Sequence, residues 1–301
     1  MKVFPLCIAA FCLTHTAKPC VWVTGTKFNG QSISASGVSG VTLLRHAFQR
    51  NPKVDGAQME ASLRGASGFN DRSDYSVALM YLGRNDEAVE LLQQLEKEKP
   101  GQYFIAANLG TAYELSWQNE EALRWINEGI RRNPNSHEST EWLHARILEA
   151  KIAQQKNPDH FKKHSVLELD PDAIGKVITI GQVKLSAEEL VDTIEYQLAE
   201  RLEFVKPPDP AVASLLFDYA AIEARTVTLE SAEKILQMAV EYGYPTEKVV
   251  PLLKLYDQRI AWRKAKPYLI GVVILSAVAL LLRSLYKRGI FVLSGKGLRR
   301  N

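Results

Sequence analysis

The residues best suited to metal binding or acid–base chemistry are the six histidines, four of which form two close pairs. His160 and His164 are four residues apart, a spacing that places two zinc ligands on one helix face. Their neighbours Phe161, Lys162 and Lys163 supply no third ligand and place two positive charges beside an incoming cation. The pair therefore indicates a solvated, basic helix rather than a metal site.

The second pair, His137 and His144, lies near Glu138 and Glu141, and nothing marks it beyond a polar helix surface. The serines and glycines match no nucleophile elbow and no phosphate-binding loop. Residues 294–297 come nearest to a phosphate loop, but they lie in a tail too short to supply the required strand and helix. The sequence therefore predicts no catalytic site, no metal and no cofactor.

The elements that would position these residues show an internal repeat. Ala88 falls on Ala122 at a spacing of 34 residues, and the two repeats, 69–100 and 103–134, both end in a proline. A fixed period of this length is typical of stacked helical hairpins. The sequence therefore predicts a helical repeat that binds other chains.

The second repeat resembles the tetratricopeptide family, and the residues that carry the resemblance are Leu109, Gly110, Tyr113, Ala122, Ile126, Gly129 and Pro134. It departs from the family at Ala106, where a tryptophan is usual. The first repeat matches more loosely, through Tyr75, Ser76, Leu79, Gly83, Ala88, Leu92 and Pro100. The resemblance implies an all-α fold of tetratricopeptide helical hairpins, an α-solenoid.

Further helices extend this pattern. A third, weaker tetratricopeptide-like hairpin is predicted near residues 213–245, where Glu223 replaces the usual tyrosine. Residues 137–156 would form the first helix of a further repeat. His144, however, stands where a small residue is needed, and its large side chain would obstruct the packing of a second helix. We therefore expect that helix to cap an array spanning residues 69–156.

The chain begins with Met1-Lys2 and eleven uncharged, mainly apolar residues, which predict a signal peptide over residues 1–17. Pro5 argues against the alternative of a buried helix. All three cysteines, Cys7, Cys12 and Cys20, precede residue 21, so removal of the signal leaves only Cys20 and excludes an internal disulfide. Pro19 before Cys20 disfavours lipid attachment.

Residues 267–282 carry no charge and predict a transmembrane helix that extends to residue 286. Sixteen residues span only about 24 Å of the roughly 30 Å core, and Arg283 can snorkel to complete the crossing. The following residues, 287–301, form a basic tail without an acid, so the tail is predicted to be cytoplasmic. Signal and span together predict a type I single-pass protein of a bacterial inner membrane, with its helical domain periplasmic.

The rest of the chain divides into an N-terminal segment, 18–68, and a second helical region, 157–263. Within the latter, a small β-hairpin insertion is expected around Gly181-Gln182, followed by a helix capped by Ser186 and Glu189. The composition, 46% hydrophobic and 24% charged residues, fits a soluble helical domain. The net charge of +3 does not indicate a polyanionic partner, so nucleic-acid binding is not expected.

The predicted function is that of a membrane-anchored scaffold that binds a protein or peptide partner, with the lipid bilayer as its second partner. In the tetratricopeptide family the first helix of each repeat lines a concave groove. The resemblance places ten residues there: Asn70, Ser73, Val77, Met80, Phe104, Ala107, Thr111, Glu114, Glu138 and Glu141. Their apolar patches and glutamates suit a neutral or basic segment, although they could equally pack on neighbouring helices. The alternative is an accessory subunit or enzyme with its chemistry in residues 157–185, which would show a concave pocket with convergent titratable groups.

Overall fold

A computed structural model describes residues 22–36, 40–65, 67–170, 174 and 177–288. The predicted signal peptide, the three cysteines and most of the basic tail lie outside the described residues. The described part is mostly helical, with two small sheets and one long apolar helix at its C-terminal end.

The elements follow one another in the order β1 (Trp22–Thr26), β2 (Ser32–Ser36), α1 (Gly40–Gln49), α2 (Pro52–Leu63), α3 (Phe69–Tyr81), α4 (Asn85–Glu98), α5 (Tyr103–Leu115), α6 (Asn119–Arg132), a turn (Ser136–Ser139), α7 (Glu141–Lys156), α8 (His160–Lys163), β3 (Ile178–Ile180), β4 (Val183–Leu185), α9 (Ala187–Phe204), α10 (Pro210–Thr226), α11 (Leu229–Glu241) and α12 (Thr246–Lys287).

Local capping chemistry sets several helix starts. Asn51 accepts a hydrogen bond from the Lys53 N–H and is followed by proline at the first position of α2. Ser186 and Glu189 form the predicted capping box of α9, with reciprocal side-chain to backbone bonds of 3.2 and 2.7 Å. The predicted capping box of α9 is confirmed, and it depends only on neighbouring residues.

Two antiparallel hairpins accompany the helices: β1 and β2 precede α1, and β3 and β4 lie between α8 and α9. The Asn29-Gly30 turn joins β1 to β2, with Gly30 at a φ of 81° that favours glycine. The dipeptide Thr24-Gly25 would also suit a turn by its residue types, but both residues lie within β1. The hairpin around Gly181 is confirmed, with Ile180 paired to Val183 across the turn.

Helices α3 to α7 pack in succession, each against the next, around a first hydrophobic core that contains Leu92, Leu109 and Ile126. At Gly110 the backbones of α5 and α6 approach closely, because a Cβ there would lie 2.4 Å from the Cδ1 of Ile126. Ala122 is fully buried at the same contact. The small residues of the repeat therefore occur where two helices meet.

A second core holds α1, α9, α10, α11 and the start of α12 together. Helix α1 packs on α9, although residues 40–49 fall in the segment that the sequence assigned to the N-terminal region. Helix α7 contributes to both cores, with Leu143 in the second and Leu148 in the first. The two cores therefore share α7 and do not separate at Asn157.

Helix α12 runs without interruption for 42 residues and includes Pro251 and Pro267. Its first half is part of the second core through Val249, Tyr256 and Ile260. No residue of its apolar 18-residue window is buried, and the helix is long and apolar enough to cross a membrane. The predicted span is thus the distal half of a helix that begins inside the folded domain.

Candidate functional site

Helices α3, α5, α7 and α9 surround a cavity of about 380 Å³, which we call the central cavity. Its walls combine apolar, amide and ionisable side chains. Its lining residues are Val77, Met80, Tyr81, Asn108, Thr111, Glu114, Leu115, His137, Glu141, His144, Gln197, Ala199, Glu200, Arg201, Glu203, Phe204 and Val205.

Five of the ten residues predicted to line a groove border this cavity: Val77, Met80, Thr111, Glu114 and Glu141. The other five do not. Ser73 and Ala107 are buried, Asn70 and Glu138 are exposed, and Phe104 is half-buried with its ring edge-on to Phe69 at 6.2 Å. The predicted groove is therefore only partly continuous with the cavity.

Glu114 is not available to select a partner, contrary to the role expected from its position in the repeat. It is 5% exposed and receives hydrogen bonds from His144 Nε2 at 2.8 Å, from Lys151 Nζ at 2.8 Å and from both terminal nitrogens of Arg201. Burial alone would raise its pKa, but the charges of Arg201 and Lys151 outweigh burial and hold the pKa of Glu114 well below its usual range. Glu114 therefore joins three helices.

Arg201 and Gln197 are two of the several residues of this site that were not predicted from the sequence. Both lie on α9, beside the apolar stripe that contains Ile194 and Leu198, and both are buried. The long, positively charged side chain of Arg201 lies next to a helix stripe that must face a core. In the sequence, this position was the available indication of a buried ion pair. Its partner, Glu114, lies 87 residues away, so no local pattern could identify the pair.

The turn before α7 places a second carboxylate and histidine at the cavity. His137, Glu138 and Ser139 have φ angles of 48°, 55° and 63°, so the predicted helix over 137–156 begins only at Glu141. Each left-handed non-glycine residue costs about 1 to 2 kcal/mol. This turn brings the Nδ1 of His137 into a hydrogen bond with Glu141, which raises the pKa of His137.

An aromatic pair forms another part of the wall. The rings of Tyr81 and Phe204 stack with centroids 4.5 Å apart. The Tyr81 hydroxyl donates to Glu203 at 2.6 Å, and Arg50 pairs with the same carboxylate. Helix α9 is thus held at its C-terminal end as well as at Arg201.

The region from 157 to 185 carries less convergent chemistry. The rings of His160 and His164 stack at 4.8 Å, and His164 Nδ1 pairs with Glu168 at 2.9 Å. Within the described residues no three His, Cys, Asp or Glu side chains meet as metal ligands. A cavity of about 280 Å³ borders this region and includes Asp218, whose pKa burial raises to about 7.

The chain matches no model of a known protein family, and no curated protein sequence matches it. The function must therefore be argued from the site. The central cavity offers an apolar and aromatic wall beside hydrogen-bonding groups, which is the composition of a binding site. The charge of its buried Glu114 is already compensated by Arg201 and Lys151.

Proposed function

We propose that the protein is a membrane-anchored scaffold that binds a segment of a partner protein in the central cavity. The observation that carries this proposal is the cavity itself, which lies on the first helices of both predicted repeats, α3 and α5. Peptide-binding surfaces of helical repeats occupy the corresponding position in the tetratricopeptide family. The packing of α3 to α6 and the close approach at Gly110 support that resemblance.

Anchoring is the second part of the proposal. The distal half of α12 would cross the membrane, and because α12 is one helix, the folded domain would sit directly at the bilayer surface. Ile260 is the last buried residue of α12, and Pro267 follows it after seven residues, or roughly 10 Å of helix. The basic residues after the span support a cytoplasmic tail and a periplasmic domain in a bacterial inner membrane.

Binding fits the central cavity better than catalysis does, although titratable groups converge there. A general base needs a pKa near the working pH and access to a substrate proton. The pKa of Glu114 lies well below that range, and its oxygens are occupied by three buried donors. The rings of His137 and His144 are likewise hydrogen-bonded to glutamates, Glu141 and Glu114 respectively. The cluster therefore serves structure.

Filling the cavity tests the binding proposal. Thr111 is half-buried in the cavity wall, and Thr111→Trp would place a large ring in the space where a partner segment lies. The matched control is Gln94→Trp, at an exposed position of α4 that does not line the cavity. We expect co-purifying proteins to be lost from the membrane-extracted Thr111 variant and retained by the control. Equal recovery from both variants would refute binding in the cavity.

A second candidate function, an enzyme or accessory subunit with chemistry in residues 157–185, is favoured by one observation. Asp218 has a pKa of about 7 and borders the smaller cavity together with His164 and Lys163. A carboxyl group with such a pKa can act as an acid or a base at neutral pH. Asp218→Asn should then abolish the activity while leaving co-purification intact, and loss of both would point to a folding defect instead.

A further inference from the structure

We infer that the central cavity binds an arginine side chain of the partner, flanked by aliphatic residues. This inference rests on the proposed scaffold function and specifies the chemistry of its partner. Four carboxylates line the cavity, from Glu114, Glu141, Glu200 and Glu203, against the single guanidinium of Arg201. The arginine is inferred from which of these carboxylates remain without a cation.

Two of the four carboxylates are already paired. Glu114 is bound by Arg201 and Lys151, and Glu203 is bound by Arg50. Their charges are compensated within the protein, so they offer little further attraction to a partner. The chain thus satisfies buried acids at this site chiefly with guanidinium groups, which match carboxylate geometry through paired N–H donors.

The other two carboxylates, Glu141 and Glu200, have no lysine or arginine partner among the residues that the structure describes. Glu200 is exposed at the cavity, and no lysine or arginine within the described ranges forms an ion pair with it. Glu141 is 5% exposed. Its Oε1 is bound by His137, but among the described residues its Oε2 has no hydrogen-bond partner, and the nearest ring nitrogen, His144 Nδ1, is 3.7 Å away. A buried acceptor without a donor is costly, so a donor entering the cavity is favoured.

The uncharged part of the wall selects arginine over a simple ammonium group. The rings of Tyr81 and Phe204 stack on each other, and both residues line the cavity, so aromatic surface forms part of its wall. Guanidinium stacks on such surfaces and loses less hydration than ammonium does. Val77, Met80 and Leu115 add apolar wall that suits aliphatic neighbours in the partner. An acidic segment would meet uncompensated negative charge and be repelled.

The test uses the full-length protein in lipid nanodiscs and four fluorescein-labelled peptides, Gly-Ser-Leu-Ala-Xaa-Ala-Leu-Ser-Gly, in which Xaa is arginine, lysine, citrulline or glutamate. Citrulline keeps the shape of arginine and removes its charge. Fluorescence anisotropy should show the arginine peptide binding about tenfold more tightly than the citrulline peptide, the lysine peptide between them and the glutamate peptide weakest.

A variant pair identifies the carboxylate involved. Glu200→Gln should weaken binding of the arginine peptide by about threefold to tenfold and leave the citrulline peptide unchanged. Glu188→Gln changes an exposed glutamate in the first turn of the same helix, away from the cavity, and should have no effect.

Equal affinity for the arginine and citrulline peptides, or no binding of any peptide, would overturn the arginine inference. Equal effects of the two glutamine substitutions would do the same. The scaffold proposal is decided separately by co-purification with the Thr111→Trp variant, so failure of one can be distinguished from failure of the other.

Discussion

Replacing Glu114 by glutamine tests whether this residue serves the fold or the partner. The substitution keeps the shape of the side chain and removes the charge that Arg201 and Lys151 share. Both cations are buried, at 8% and 7% exposure. Removing one member of a buried ion pair costs about 3 to 5 kcal/mol, because the remaining charge is left in a poorly solvated site.

That free energy converts to a large change in thermal stability. For a domain of this size, 1 kcal/mol of unfolding free energy corresponds to roughly 2 to 4 °C in the transition midpoint. The Glu114→Gln protein should therefore melt about 10 °C below the parent, measured by tryptophan fluorescence in detergent micelles at a single scan rate.

The control is Glu120→Gln, which breaks the pair between Glu120 and Lys156, whose side chains are 71% and 70% exposed. Such a surface pair contributes at most about 1 kcal/mol, so the midpoint should move by only a few degrees. If Glu114→Gln melts within 2 °C or so of the parent, the buried cluster does not hold α9 against α5 and α7, and Glu114 would again be a candidate partner contact.

Three further predictions concern packing, pH and topology. Gly110→Leu should lower the free energy of unfolding, measured with a chemical denaturant, by about 1 to 3 kcal/mol, because even a Cβ at this position would lie 2.4 Å from Ile126. An unchanged free energy of unfolding would mean that α5 and α6 make their close contact elsewhere. Burial raises the pKa of Asp218 from 3.8 to about 7, so its contribution to stability is fully present below about pH 4 and is lost as pH rises through 7. The free energy of unfolding of the parent should fall as the pH rises from 5 to 8, and Asp218→Asn should flatten that slope. Parallel pH profiles of the parent and the variant would contradict a raised pKa of Asp218. Protease added to spheroplasts should digest residues 103–134 and spare the tail after Lys287, whereas digestion of the tail alone would reverse the orientation.

Elements that depend on near neighbours could be predicted from the sequence. The capping box at Ser186 and the hairpin around Gly181 each need only a few consecutive residues, and both occur as expected. The resemblance to the tetratricopeptide repeat depends partly on the small residue Gly110, and α5 and α6 make a close contact at that position.

The composition of the site could not be predicted in the same way. The cavity exists because α9 lies opposite α3 and α5, and the contact between Arg201 and Glu114 joins residues far apart in the chain. The left-handed turn at His137 to Ser139 was also missed, since none of its residues is a glycine. Glu114 was therefore assigned to the partner although the fold itself uses it.

The claim that the central cavity binds a partner segment is tested most directly by photo-crosslinking in living cells. A benzoylphenylalanine residue would replace Val77, which is half-buried in the cavity wall, or Gln94, which is exposed on α4. We predict that ultraviolet light crosslinks the Val77 protein to a discrete membrane or periplasmic partner and gives no such product at Gln94. Crosslinking of the same partner from Gln94 but not from Val77 would contradict binding in the cavity.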